Sequence, residues 1–262
     1  LVATASLFPT TTSTTCDIFG RAPENVPCVA AHSTVRALYS TYAGPLYQVK
    51  RASDGSTIDI GVVSPGGIAD SGSQDTFCAT SGCVVSRIYD QSPRQNHLDV
   101  APAGGAHKDP DLPVNATRQQ VMVGDKMAYA AYFEGNMGYR NDVTVGIATG
   151  NDPETIYAVF GGSHFDNGCC FDYGNAETNN LDTGKGSMEA LYFGNITGSC
   201  HTPGNGPWIQ ADLENGLWGG GTNNCASNTP MTAEFVTAVL RGGPGFFSLH
   251  GADSQKGTLT TL

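Results

Sequence analysis

Hydrophobic and polar positions alternate over short stretches along most of this chain. "PLYQVKR", "CVVSRIYD", "TIYAVFGG", "MEALYFGN", "PWIQADLENGLW", "EFVTAVLRGG" and "FFSLHGA" each read as a strand bounded by Gly, Asn, Asp or Pro. One stretch predicts a helix. "CVAAHSTVRALYSTYAG" (28–44) has apolar residues at Val29, Ala30, Val35, Ala37, Leu38 and Tyr42, and Gly44 to stop it. Many short strands and few helices predict an all-β sandwich or barrel. Residues 1–15 end in "PTTTSTT" and read as a Thr-rich tail; 16–262 show no repeat and no linker, which predicts a single domain.

Composition narrows the setting. Of 262 residues 39% are apolar, enough for a core, and only 14% are charged. A net charge of −11 argues against a phosphate-backbone partner such as nucleic acid. No run approaches the about 18 apolar residues of a membrane span. The opening "LVATASLF" is too short for a complete signal peptide. A weakly charged acidic chain with an even number of cysteines predicts a secreted, disulfide-bonded protein. Spacing favours Cys16–Cys28, Cys78–Cys83 and Cys200–Cys225, leaving Cys169 and Cys170 for each other. The competing zinc reading is weak, because "TFCATSGC" has the wrong spacing and no nearby histidine. Asn115 in "NAT" and Asn195 in "NIT" are candidate glycosylation sites.

Candidate chemistry concentrates in "PWIQADLENGLW" (207–218). Read as one strand, it turns Ile209, Ala211 and Leu213 to a core and Trp208, Gln210, Asp212 and Glu214 to the other face. An aromatic, an amide and two carboxylates on one surface suit sugar hydrolysis, which needs two carboxyl groups and a flat surface for the ring. The same alternation also describes the solvated face of an edge strand. Glu189, in phase with Leu191 and Phe193, is either half-buried or simply solvent-facing. "RIYDQSPRQNHLDV", with Asp90, Asn96, His97 and Asp99, reads as a polar turn. His32, His97 and His164 form no Ser-His-Asp spacing, and no Walker loop, dinucleotide fingerprint or HExxH occurs, so no cofactor is expected.

Four stretches in order carry a family resemblance: "VPCVAAHSTVRALYS" (26–40), "DQSPRQNHL" (90–98), "GCCFDYGNAET" (168–178) and "GPWIQADLEN" (206–215). The chain resembles the family 54 glycoside hydrolases, the α-L-arabinofuranosidases, from Cys16 nearly to its end. The resemblance implies a concanavalin-like β-sandwich that removes arabinofuranosyl side groups from arabinan and arabinoxylan, in an exo fashion and with retention. It implies Glu214 as nucleophile, with Asp212 and Asn215 hydrogen-bonding sugar hydroxyls. It also implies that Cys169 and Cys170 form a vicinal disulfide whose flat face lies under the sugar ring. Such a ring is strained but rigid, apolar and small. Asp172 and Glu177 then become supporting polar residues of the same motif. The implied partner is arabinose-containing plant cell-wall polysaccharide.

The chain departs from the family pattern at three places. Ser199 stands where the family has a stacking Trp, and Gly216 stands where it has a sugar-contacting Asn. The family's acid/base, an Asp in a Gly-Gly-Asp turn after the strand matching "FFSLHGA", has no counterpart; Asp253 in "GADS" comes too early. The expectation is therefore an incomplete domain, the remainder being a second polypeptide or an omitted segment. Two other functions fit the same residues: a catalytically impaired lectin-like relative binding arabinose-bearing glycans, and a structural sandwich with a redox-active cysteine pair.

Overall fold

Short alternating segments separated by turn residues do become strands. The computed structural model describes residues 13–23, 25–104, 107–165, 167, 171–175, 188–197, 204–214, 216–219 and 228–262. The described residues hold two short helices, α1 (Thr15–Phe19) and α2 (Ser71–Cys78), and antiparallel sheet otherwise. The chain divides into two compact units. One runs to Pro102 and resumes over Pro110–Gly146; the other comprises Ala103–Asp109 and Ile147–Leu262.

The first unit contains β1 (Tyr47–Arg51), β2 (Thr57–Ile60), β3 (Cys83–Ile88), β4 (Leu98–Val100), β5 (Gln119–Val123), β6 (Lys126–Ala130) and β7 (Tyr139–Arg140). Five of them form a sheet in the order β2-β1-β3-β4-β7, and β5 and β6 form a hairpin. Leu46, Val49, Ile60 and Val114 are completely buried in its core. Two expected disulfides are present, Cys16–Cys28 and Cys78–Cys83; the second joins the end of α2 to the start of β3. The Thr-rich tail lies outside the described residues up to residue 12, and Thr14 already caps α1.

The helix expected over 28–44 does not form. Its backbone groups find distant partners instead of the carbonyl four residues back. Ala31 N donates to Asp90 Oδ1 at 2.7 Å. Ala37 N donates to Gly67 O at 2.8 Å, and Ala69 N to Val35 O at 2.9 Å. Leu38 N donates to Gln91 Oε1 at 2.6 Å. The polar turn "DQSPRQNHL" supplies two of these partners, Asp90 and Gln91, and the segment around Gly67 and Ala69 supplies the others. Asp90, 3% exposed, also accepts from Ser92 N, Ser92 Oγ and Asn96 N. His97 Nδ1 accepts from Asp90 N at 3.0 Å. The turn thus helps to stabilise a non-helical segment, because the Ala31 and Leu38 amides find their acceptors there.

The second unit is a concanavalin-like sandwich of two four-stranded sheets. Its strands are β8 (Glu154–Gly161), β9 (Asp172–Asn175), β10 (Glu189–Gly194), β11 (Trp208–Leu213), β12 (Gly216–Trp218), β13 (Phe235–Gly243), β14 (Phe246–Asp253) and β15 (Thr260–Thr261). The sheet orders are β12-β11-β10-β9 and β15-β14-β13-β8. Leu191, Phe193, Ile209 and Ala211 from the first meet Ile156, Val236, Ala238, Leu240 and Leu249 from the second. Phe160 and Phe193 stack across the layer with centroids 5.3 Å apart. Removing this much apolar surface from water is the main stabilising contribution.

Candidate active site

β11 turns Trp208, Gln210 and Asp212 to one face and Ile209, Ala211 and Leu213 to the inter-sheet core, as its alternation predicts. The face away from the core is not solvated, however. Trp208 is 1%, Gln210 0% and Asp212 5% exposed, so the solvated-edge reading fails. β11 is also central, paired with β10 on one side and β12 on the other.

The segment after β10 explains part of the burial. Gln210 Nε2 donates to Ile196 O at 2.6 Å, and Ile196 N donates to the Tyr192 hydroxyl at 3.3 Å. That segment closes over the Trp208 end, and Trp208 is therefore packing and not an open platform for a sugar ring. The Asp212 end leads directly to Glu214, half-buried in the turn that follows β11. The stretch 207–218 is accordingly two strands and not one. β11 ends at Leu213, which pairs with Gly216 at the start of β12. Gly216 has φ +131°, a backbone region that favours glycine.

Two carboxyls meet on this face. Asp172 of β9 pairs with Tyr192 of β10, while Asp212 of β11 pairs with Ala190 of β10. The two acids therefore lie diagonally across β10, and the intervening side chain at Ala190 is a single methyl. They are in hydrogen-bonding contact. Burial pushes the Asp212 carboxyl up to about 8, and the charge of Asp172 and the bond between the two push the same way. Burial raises Asp172 as well, opposed by its bond to Asp212. Asp172 keeps solvent contact at its side chain, whereas Asp212 does not. Asp212 Oδ2 and Gln210 Oε1 are buried and meet no donor among the described residues. Buried oxygens of this kind call for a partner, and a proton shared with another acid or a ligand hydroxyl can supply one.

Sequence reasoning treated Asp172 as a supporting residue; its meeting with Asp212 was the missed element. No local pattern carries it, since the two are joined only through the register of β9, β10 and β11. Asn215, Cys169, Cys170, Ser199, Glu177 and the pair Cys200 and Cys225 lie outside the described residues. Among the glycosylation candidates, Asn115 is exposed and Asn195 half-buried. Asp253 is bound to Lys256 at 3.1 Å and accepts from Gln255 N, which holds its carboxyl below the ordinary range. That makes it a poor proton donor.

Half of a second pair occupies the core side of the same sheet. Glu189 projects between the sheets toward Glu154 of β8, and burial, then the neighbouring Glu189, pushes Glu154 up to about 8. Glu189 is raised by burial too. Asn175 Nδ2 donates to Glu154 Oε1 at 2.7 Å, and Asn175 Oδ1 accepts from Glu189 N at 2.8 Å. Of the two sequence readings of Glu189, half-buried is correct.

A β-sandwich that gathers acids and a primary amide on one sheet face, with a further carboxylate at the strand exit, belongs to the carbohydrate-active class. The comparisons with known proteins make the class specific. A family model described as "Alpha-L-arabinofuranosidase B, catalytic" matches residues 15–262, and the chain belongs to that family. α-L-Arabinofuranosidase B of Emericella nidulans is 48% identical over 252 residues, covering 94% of this chain and 49% of the relative. The Penicillium canescens α-L-arabinofuranosidase B is 45% identical over 252 residues, covering 94% of this chain and 54% of the relative. A GH54 α-L-arabinofuranosidase soaked with a cyclic sulfate inhibitor superposes with TM-score 0.88 at 44% identity, over 94% of this chain and 52% of that one. An arabinofuranosidase complexed with arabinofuranosyl-α-1,2-xylobiose gives 0.87 at 42%, with the same coverage. The chain spans about half the length of the curated relatives it matches.

Proposed function

We propose that this chain is catalytic sandwich of a retaining, exo-acting α-L-arabinofuranosidase that removes arabinofuranosyl side groups from arabinan and arabinoxylan. The observation that carries the reading is Glu214 at the exit of β11, in a chain that matches the catalytic family model over 15–262. Glu214 attacks the anomeric carbon and breaks the glycosidic bond, the departing oxygen taking a proton from the general acid; water then displaces Glu214 from the glycosyl-enzyme and returns a proton to that group. Asp212, with Asn215, holds sugar hydroxyls beside it. The family resemblance assigns a sugar-contacting position to Gly216 and the platform beneath the ring to the pair Cys169 and Cys170. The substrate class is supported by the arabinofuranosyl-xylobiose bound to the solved relative.

The general acid of the family pattern, an Asp in a Gly-Gly-Asp turn, has no counterpart in these 262 residues. Acid assistance at the leaving oxygen contributes about 10²–10⁴-fold, so the test uses the complete natural polypeptide. An extracellular setting is part of the reading, supported by the disulfides Cys16–Cys28 and Cys78–Cys83. Glu214→Ala should lower turnover of 4-nitrophenyl α-L-arabinofuranoside by about 10³-fold or more, with melting unchanged. Unaltered turnover would remove Glu214 from the role of nucleophile. Arabinose binding with no turnover by the natural protein would favour a lectin.

A further inference from the structure

Asp172 lies two strands away from Asp212 and yet touches it, and three features make that contact more than incidental. The register of β9, β10 and β11 sets the two acids on one sheet face, Asp172 opposite Tyr192 and Asp212 opposite Ala190, whose side chain is a single methyl. Asp212 is 5% exposed, and its Oδ2 meets no N–H or O–H donor among the described residues. Its neighbour is another carboxyl, so a proton held between them is the hydrogen bond this geometry offers. Asp172 is the more exposed residue of the two, and its bond to Asp212 lowers its carboxyl against the rise from burial, so the single charge falls mainly there.

We propose that Asp172 is a positioning residue of the arabinofuranose site: it shares one proton with Asp212, fixing the orientation of that carboxyl and keeping its negative charge away from Glu214. This rests on the function proposed above. The pair then carries one charge instead of two, and that charge resides mainly on the solvent-facing member. Glu214 lies two residues past Asp212, in the turn that follows β11. A full charge on Asp212 would oppose formation of the attacking carboxylate. The other groups facing Asp212 among the described residues are Tyr192 on β10, Trp208 and Gln210 on β11 and Leu217 on β12. None of them is charged. Glu189 projects from the opposite face of the sheet.

Two measurements on the complete natural polypeptide test this. Infrared titration should show a protonated-carboxyl band persisting to neutral pH that is lost in both Asp172→Asn and Asp212→Asn but retained in Glu154→Gln. A band indifferent to the first two variants overturns the shared proton. In Asp172→Asn the amide donates to the Asp212 carboxyl and the neighbouring charge is gone, which favours the charged form of Asp212 against the burial that still opposes it. The acid limb of kcat/KM should therefore move up by about half to one pH unit, a three- to tenfold loss on the acid side. Asp172→Ala, which removes the hydrogen bond as well, should lose more and raise KM, with Asn partly rescuing it. A profile unchanged in shape, with only the melting temperature lowered, would reduce Asp172 to a structural role and overturn the proposal. A wild-type protein that shows the band yet cleaves no arabinofuranoside overturns the assigned function and the role of the pair in it, while the pair itself stands.

Discussion

The β12-β11-β10-β9 sheet meets an acid pair on each face, one formed within it and one shared with β8 of the facing sheet, and the two pairs behave differently. Between the sheets, Glu154 and Glu189 are enclosed by Asn175 and by the backbone of β13. On the other face, Asp172 reaches solvent beside a buried Asp212, and Glu214 stands at the strand exit. Burial raises all four carboxyls. A raised carboxyl therefore does not by itself mark an active site; enclosure and access to a substrate separate the two pairs. The pair between the sheets is tied to Asn175 and packed against β13, whereas the other pair has a member that reaches solvent and can exchange its proton.

The sharpest way to break the comparison is to crowd the enclosed pair. A Cβ at Gly242 would come within 2.0 Å of Glu189 Oε2, opposite Glu154 in the register of β13 and β8. Gly242→Ala should destabilise the domain by about 2–3 kcal/mol in chemical denaturation. A loss below about 0.5 kcal/mol would show that the carboxyl moves freely and is not enclosed.

Next in size is the pH dependence of stability. Glu154 titrates near 8 folded, against 4.5 for an ordinary glutamate. Between these values the folded state holds a proton that the unfolded chain has released, so stability falls as pH rises and levels off above the folded value. The fall should amount to about 2 kcal/mol after allowance for solvent contact at Glu154. Glu154→Gln should flatten it. An equally steep slope in that variant would shift the proton to another group.

Two smaller effects belong to the open side. Gly216→Asn, the residue of the family pattern, should cost about 1 kcal/mol, because Gly216 has φ +131° here; an unchanged melting curve would show that the backbone relaxes. Asp172→Asn should change stability least, by under about 1 kcal/mol, while moving the pH–rate profile. A large stability loss without that movement would make the open pair a second structural pair.

Much of this was legible along the chain. Alternation located β1, β3, β8, β10, β11, β13 and β14 because one face of each packs on a core. Spacing located two disulfides, since Cys16–Cys28 and Cys78–Cys83 close short local loops. The motif around "QADLEN" pointed to Asp212 and Glu214. The stretch 28–44 was misread because its apolar spacing matches a helix, while its amides are taken by Asp90, Gln91 and Gly67. Propensity gives way when distant acceptors are this well placed. The strand 207–218 was misread for a similar reason: alternation continues through Glu214, but the chain turns back there.

The sequence by itself determined which residues alternate, which cysteines lie close enough to join, and which carboxylates sit two apart along the chain; these are properties of neighbours in sequence. Only the tertiary structure decided which acids meet. Asp172 and Asp212 are separated by two strand crossings, and Glu154 and Glu189 by the thickness of the sandwich. Strand register and sheet packing create those contacts, and both are set by the burial of the whole apolar core.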